Sequence, residues 1–255
     1  MKIKEHFSQT SLGEIYVKFI GEESTKKDLV LLHDAIGSVN IWGSFPQQLH
    51  KLTGRRVVVF DRLGYGKSGA DLKARDVDYM MYEATVRLPE ILAKLNIQKP
   101  ILVGHSDGGT IALQFASQFE TGAVIAMAAH IYVEEITRKG IDDFFAQTNF
   151  EFIKSKLQLH HGEKNSRVLD AWRYTWLSDA YRAWNIENIL GAINCPSLII
   201  QGKQDEYATE QHAIDIEKGI GSWAKLHFVD DCGHVPYKQQ SGIVLKHMVD
   251  FLEPF

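Results

Sequence analysis

Ser106 sits in Val103-Gly104-His105-Ser106-Asp107-Gly108-Gly109, a Gly-x-Ser-x-Gly placed where an apolar run ends and a segment with helical periodicity begins. At average glycine and serine usage of about 0.07 each, the bare pattern arises by chance in about one chain in ten of this length. The strand-to-helix context is therefore what gives it meaning. A serine held in such a sharp turn needs small residues two positions away on each side, and Gly104 and Gly108 supply them. The plainer reading is a glycine-rich turn that only lets helix and strand pack. A serine hydroxyl becomes a useful nucleophile when a base takes its proton and an acid orients that base, so one histidine and one carboxylate are required.

Asp205 follows Ser197-Leu198-Ile199-Ile200-Gln201-Gly202, just beyond a predicted strand, and His234 lies in Asp231-Cys232-Gly233-His234-Val235-Pro236, in the loop leaving the last predicted strand. Taken singly, an aspartate after a strand is a common helix cap, and one histidine among 11 is ordinarily at the surface. Together, three such groups beyond the carboxyl ends of three strands, in the order Ser, Asp, His, predict acyl transfer. The backbone N–H of Asp107, at the start of the following helix, is the expected donor to a developing oxyanion.

These groups need a rigid scaffold. Residues 28–32, 56–60, 100–103, 123–128, 196–201 and 225–229 are short continuous apolar runs of the kind buried on both faces of a parallel sheet, and residues 2–9 with 15–19 read as an antiparallel hairpin. Leu88, Leu92 and Leu95, then Ile111, Phe115 and Phe119, and finally Val244, Met248, Phe251 and Leu252 share helical faces. Pro89 marks either a kink or a helix start. Residues 134–190 break the alternation, being long, helix-like and rich in aromatics, which predicts an inserted cap.

Composition narrows the partners. The 255 residues are 45% hydrophobic and 24% charged, near the globular average, and a net charge of -4 without a basic run argues against nucleic acid or an anionic membrane. A small-molecule substrate is expected. The first residues lack the apolar stretch of a signal peptide, and no run approaches the ~18 residues of a membrane span, which predicts a cytoplasmic protein. Cys195 and Cys232 are read as free thiols.

The chain resembles the α/β-hydrolase superfamily over nearly its whole length. The resemblance is carried by His33 with Asp34-Ala35-Ile36-Gly37-Ser38, by Phe60-Asp61-Arg62-Leu63-Gly64-Tyr65-Gly66-Lys67-Ser68, by the Ser106 turn, by Gly202 to Asp205, and by Gly233-His234. It is similar to the small capped bacterial α/β-fold enzymes related to esterases and carbon-carbon bond hydrolases. The resemblance implies an eight-stranded, mostly parallel sheet with helices on both faces, and a cap (134–190) inserted into a core of 1–133 and 191–255. It also implies no cofactor, a nucleophile, acid and base at Ser106, Asp205 and His234, and a second oxyanion donor in the backbone N–H of Ala35. The residue after the histidine in that loop is usually Gly; here it is Asp34, expected to point away from the oxyanion or to bind substrate.

Further candidates come from position alone. His130, at the end of the sixth strand, is a candidate substrate contact or an ordinary buried histidine, and Trp176 and Trp184 either line an apolar pocket or pack the cap. His160-His161 and Cys232 near His234 lack zinc-ligand spacing, and Gly64-x-Gly66-x-x-Gly69 opens no βαβ unit, so neither metal nor dinucleotide is expected. The leading expectation is a serine hydrolase cleaving a small carboxylic ester; the rivals are a carbon-carbon bond hydrolase using the same three residues and a low-turnover ligand receptor.

Overall fold

Apolar side chains alternating with period two build the centre of the molecule. In the computed structural model, which describes residues 1–147 and 149–255, eight strands form one sheet. β1 (Ile3–Gln9) and β2 (Glu14–Ile20) form an antiparallel hairpin, closed where the Thr10 hydroxyl and N–H both donate to the Gly13 carbonyl. Beyond it, β3 (Leu29–Leu32), β4 (Val57–Phe60), β5 (Ile101–His105), β6 (Ala123–Met127), β7 (Ser197–Gly202) and β8 (Ala224–Val229) run parallel to one another. The order across the sheet is β1-β2-β4-β3-β5-β6-β7-β8, so the winding direction reverses between β3 and β5. Such a switch point opens a crevice beyond the carboxyl ends of the strands. The expected hairpin and six parallel strands are all present, with ends shifted by a residue or two, but β8, at the edge of the sheet, is only half-buried where burial on both faces was expected.

Ten helices flank the sheet among the described residues: α1 (Phe45–Thr53), α2 (Tyr79–Tyr82), α3 (Leu88–Lys94), α4 (Asp107–Ala116), α5 (Glu135–Ala146), α6 (Phe150–His161), α7 (Asn165–Leu177), α8 (Gln211–Ile220), α9 (Pro236–Gln239) and α10 (Ser241–Leu252). Leu29, Leu31, Val57, Val59, Ile101 and Val103 face one way, against Phe45 and Leu49 of α1 and Val244, Met248 and Leu252 of α10. Their neighbours Val30, Leu32, Val58, Phe60 and Leu102 face the other, against Leu88 and Ile91 of α3, Ile111 and Phe115 of α4 and Ile216 of α8. Each fully buried side chain of this size contributes roughly 1.5–3 kcal/mol. Cys195 and Cys232 are free and buried, so the core stands without a disulfide.

Pro89 takes the second of its expected roles, at the start of α3. A π-helical turn, Glu83–Arg87, joins α2 to α3, and Pro89 lies in the first turn of α3. Proline has no N–H and crowds the carbonyl of the preceding turn, which the wider π turn accommodates.

Residues 134–190 carry α5, α6 and α7 between β6 and β7. Their two ends are drawn together by an antiparallel bridge between Tyr132 and Asn185 and by the Ile186 N–H donating to the Ile131 carbonyl at 2.8 Å. A segment that leaves and rejoins the sheet at one place can be elaborated without disturbing it.

Candidate active site

Ser106 has φ 53 and ψ -122, a conformation that costs a non-glycine residue about 1–3 kcal/mol. The surrounding backbone enforces it. A Cβ on Gly104 would lie 2.1 Å from the Gly108 carbonyl oxygen, and one on Gly108 would lie 2.0 Å from that of Leu32. No side chain fits at either position, which is the physical content of the two glycines. The turn holds the Ser106 hydroxyl at the floor of a cavity of about 320 Å³, at the switch point between β3 and β5.

His234 Nε2 lies 3.0 Å from Ser106 Oγ, and its Nδ1 lies 2.9 Å from both carboxylate oxygens of Asp205. A proton on Nδ1 satisfies the carboxylate and leaves Nε2 as the acceptor for the serine hydroxyl. Asp205 also accepts from Gln201 Nε2 at 2.7 Å and from the Tyr207 N–H at 2.8 Å. Burial opposes its charge, yet the charge and hydrogen bond of His234 hold the carboxyl well below the usual carboxylate range. For His234 burial likewise disfavours the imidazolium, but Asp205, with Glu206 and Asp34 beyond it, raises its pKa above 6.5. The backbone of His234 is held at both ends, its N–H by Glu206 Oε2 at 3.1 Å and its carbonyl by His105 Nε2 at 2.7 Å. This line of groups can pass the Ser106 proton to the imidazole while a carboxylate stabilises the cation that forms.

Asp107 opens α4, so its N–H is among the four that lack an intrahelical acceptor. Among the described residues the N–H of Ala35 donates to no protein acceptor either, and Ala35, Ser106 and Asp107 all line the cavity. Two free donors beside a serine hydroxyl suit an oxyanion. Asp34 is not among the residues with positive φ, so this loop does not require glycine's freedom. Its Oδ1 accepts from the Ile36 N–H at 3.0 Å, and its Oδ2 faces His105 Nδ1 at 3.3 Å. Burial would raise its pKa, but the hydrogen bond and charge of His105 pull it below the ordinary range.

His130 lines the cavity, with Nε2 donating to the Tyr207 carbonyl at 3.1 Å. Burial, and then the charges of His212 and His234, lower its pKa to about 3, so it is neutral. Trp176 lines the cavity beside Ile141, Phe144 and Trp172. Trp184 does not. It stacks on Tyr181 with ring centroids 5.1 Å apart and meets the edge of Trp176 at 5.9 Å, in a second row behind the wall, which corrects its placement as a substrate contact.

Sequence reading assigned no role in the site to three polar residues. His105, the variable residue before Ser106, bridges Asp34 and the His234 carbonyl. His161, at the end of α6, accepts from the Gly66 N–H through Nδ1 at 3.0 Å and donates from Nε2 to the Ile36 carbonyl at 2.9 Å. Arg62 reaches the Asp34 carbonyl at 2.7 Å. The charged pair Asp61-Arg62 directly after the fully apolar β4 was the available signal for Arg62.

With the sheet order, the serine turn and the cavity in place, comparison with known proteins fixes the family. The model of the Alpha/beta hydrolase family matches residues 29–244, and the chain belongs to that family. It is an enzyme, a hydrolase. It is 23% identical over 275 residues to 2-hydroxy-6-oxo-6-phenylhexa-2,4-dienoate hydrolase of Comamonas testosteroni, across 96% of this chain and 94% of that protein. Among solved structures, the enol-lactonase of Burkholderia xenovorans LB400 superposes with a TM-score of 0.73 at 18% identity, covering 97% of this chain and 100% of the other. An esterase from Exiguobacterium antarcticum superposes with a TM-score of 0.74 at 20% identity, covering 97% and 98%. Among the described residues no helix is long and apolar enough to cross a membrane.

Proposed function

We propose that this hydrolase cleaves a small carboxylic ester through an acyl-enzyme formed on Ser106. The observation that carries the reading is the continuous hydrogen-bonded line from Ser106 Oγ through His234 to Asp205 at the floor of the cavity. Ser106 Oγ attacks the carbonyl carbon as its proton passes to His234 Nε2, and the oxyanion is received by the N–H groups of Ala35 and Asp107. His234 then returns the proton to the leaving alkoxide. Water, deprotonated by the same imidazole, attacks the acyl-enzyme, and His234 returns that proton to Ser106 Oγ as the C–Oγ bond breaks and the acid leaves. Residues 134–190 act as the cap, and Ile141, Phe144, Trp172 and Trp176 supply an apolar wall for the substrate, with His130 beside it.

The name of the Comamonas relative raises a second reading, hydrolysis of a dienoate with carbon-carbon cleavage by the same three residues. A dienoate carboxylate is best met by a planar guanidinium. Arg62 lies below the serine turn rather than on the cavity wall, and Arg173 stacks over Phe145 at 4.7 Å. Among the described residues no arginine lines the cavity, and the one lysine lining it is Lys238, an exposed residue whose ammonium burial pushes below its usual pKa. That favours the ester.

The test is labelling with a fluorophosphonate, alongside turnover of p-nitrophenyl esters of graded chain length. The wild type is expected to do both and Ser106→Ala neither, with an unchanged circular dichroism spectrum. Ester turnover retained by Ser106→Ala would overturn the mechanism. Turnover of a dienoate far above that of every ester would select the second reading.

A further inference from the structure

Arg62 is 1% exposed and lies outside the cavity lining, yet a hydrogen bond ties it to one arm of the oxyanion site and a longer ion pair to the other. Three donors converge on the Asp34 carbonyl oxygen: Arg62 Nη2 at 2.7 Å, His33 Nδ1 at 2.9 Å and the Gly37 N–H at 3.3 Å. The tautomer of His33 is set by Arg62 as well, because the Arg62 backbone N–H donates to His33 Nε2 at 3.1 Å and so leaves the proton on Nδ1. The Asp34 carbonyl and the Ala35 N–H belong to one planar peptide unit and point in opposite directions. Fixing the oxygen therefore fixes the direction of the N–H.

The second arm is reached by the same guanidinium. Arg62 Nη2 lies 3.7 Å from Asp107 Oδ2, which accepts from the Tyr79 hydroxyl at 2.8 Å. Trp176 Nε1, from α7, donates to that hydroxyl at 3.1 Å.

Stability does not account for this arrangement. Among the described residues Arg62 Nε and Nη1 and Asp107 Oδ1 are buried without a hydrogen-bond partner. Each such group costs about 1–3 kcal/mol, and a buried ion pair seldom outperforms well-packed apolar residues. A costly, half-satisfied pair beneath a reaction centre points to function.

We infer that Arg62 is a positioning residue that preforms the oxyanion site, holding the Asp34–Ala35 peptide and the Asp107 side chain so that both N–H donors face the oxyanion that forms when Ser106 attacks. The inference rests on the serine-hydrolase reading. Without the guanidinium, the Asp34–Ala35 peptide loses its strongest anchor and can rotate its carbonyl oxygen toward the developing negative charge. The cation also polarises the peptide it binds, which strengthens the Ala35 N–H as a donor.

The experiment measures kcat and KM for p-nitrophenyl acetate and the affinity for phenylboronic acid, which forms a tetrahedral adduct with a serine hydroxyl, in Arg62→Met and Arg62→Lys. Arg62→Met is expected to lower kcat roughly tenfold to a hundredfold and to weaken the boronate in parallel, with KM changed by less than about twofold. Arg62→Lys keeps a cation but only one point of contact, so it should recover part of both losses. Unchanged kcat and boronate affinity would overturn the inference. So would a loss of kcat with the boronate unaffected, or Arg62→Lys no better than Arg62→Met. If Arg62→Met does not fold, Arg62→Lys decides by the same measurements, a parallel loss of several-fold supporting the inference and wild-type values overturning it. Turnover surviving in Ser106→Ala would instead sink the functional reading, whatever Arg62 does.

Discussion

The loops at the carboxyl edge of the sheet and the helices of residues 134–190 meet at one cavity and are held by different forces. At the edge, Ser106, Asp205, His234 and Asp34 each make directed hydrogen bonds, most of them between 2.7 and 3.0 Å. Across the cavity, Phe144, Phe145, Phe150 and Trp172 pack ring against ring, with centroids 5.0 Å apart for Phe144 and Trp172 and 5.2 Å for Phe145 and Phe150. Directed bonds demand particular atoms at particular places, whereas apolar packing tolerates substitutions that conserve volume. On the proposed mechanism, chemistry is thus concentrated on one side of the cavity and selectivity on the other. His161, Trp176 and Thr137 are among the exceptions, helical residues whose ring nitrogens or hydroxyl bond to the sheet side.

Asp205→Asn should break the comparison hardest on the edge side. An amide can donate to His234 Nδ1 and trap the wrong tautomer, so kcat on a simple ester is expected to fall by roughly 10³–10⁴. Asp231→Asn, on an exposed turn residue, should stay near wild type. A large loss at position 231 and little at 205 would reassign the acid. The pH profile follows from the same pair. Because Asp205 raises the His234 pKa, and the neutral imidazole is the active form, wild-type kcat/KM should fall on acidification through an apparent pKa above 6.5. A profile flat from pH 5 to 8 would remove His234 as the base.

The same contrast explains what the sequence made legible. That Ser106, Asp205 and His234 come together was readable because each follows a strand and the chemistry restricts the residue types. The strands were readable because period-two burial on both faces leaves continuous apolar runs. Trp184 was misplaced because a helical segment rich in aromatics does not reveal which ring forms the cavity wall and which forms the row behind it. The contacts of Arg62, His105 and His161 went unread because their partners are 28, 71 and 125 positions away in the chain, at distances only the folded sheet defines.

On the helical side the expected effect is smaller and selective. Phe144→Ala opens the apolar wall without touching the hydrogen-bonded line, so the preference for hexanoate over acetate esters of p-nitrophenol should shift by about tenfold while acetate turnover stays within about threefold. An equal loss on both esters, with a lowered melting temperature, would make the wall structural and erase the division of labour.

The smallest effect is expected at Asp34, and it sharpens the comparison because this residue belongs to the edge without belonging to the proton relay. Its carboxylate accepts the Ile36 N–H and faces His105, while the Asp34 carbonyl, which aims the Ala35 N–H, is held separately by Arg62, His33 and Gly37. Asp34→Gly removes the first set of contacts and keeps the second. The added backbone freedom costs about 0.5–1 kcal/mol, and turnover of a simple ester should change by less than about tenfold. Losing a negative charge near His234 should also lower the imidazole pKa slightly and move the acid limb of the profile to lower pH, since Asp34 is among the groups that raise it. A loss beyond a hundredfold with the fold intact would place the carboxylate in the reaction itself. A gain in rate would mean that it opposes the oxyanion, and that the edge carries an element tuned to something other than simple esters.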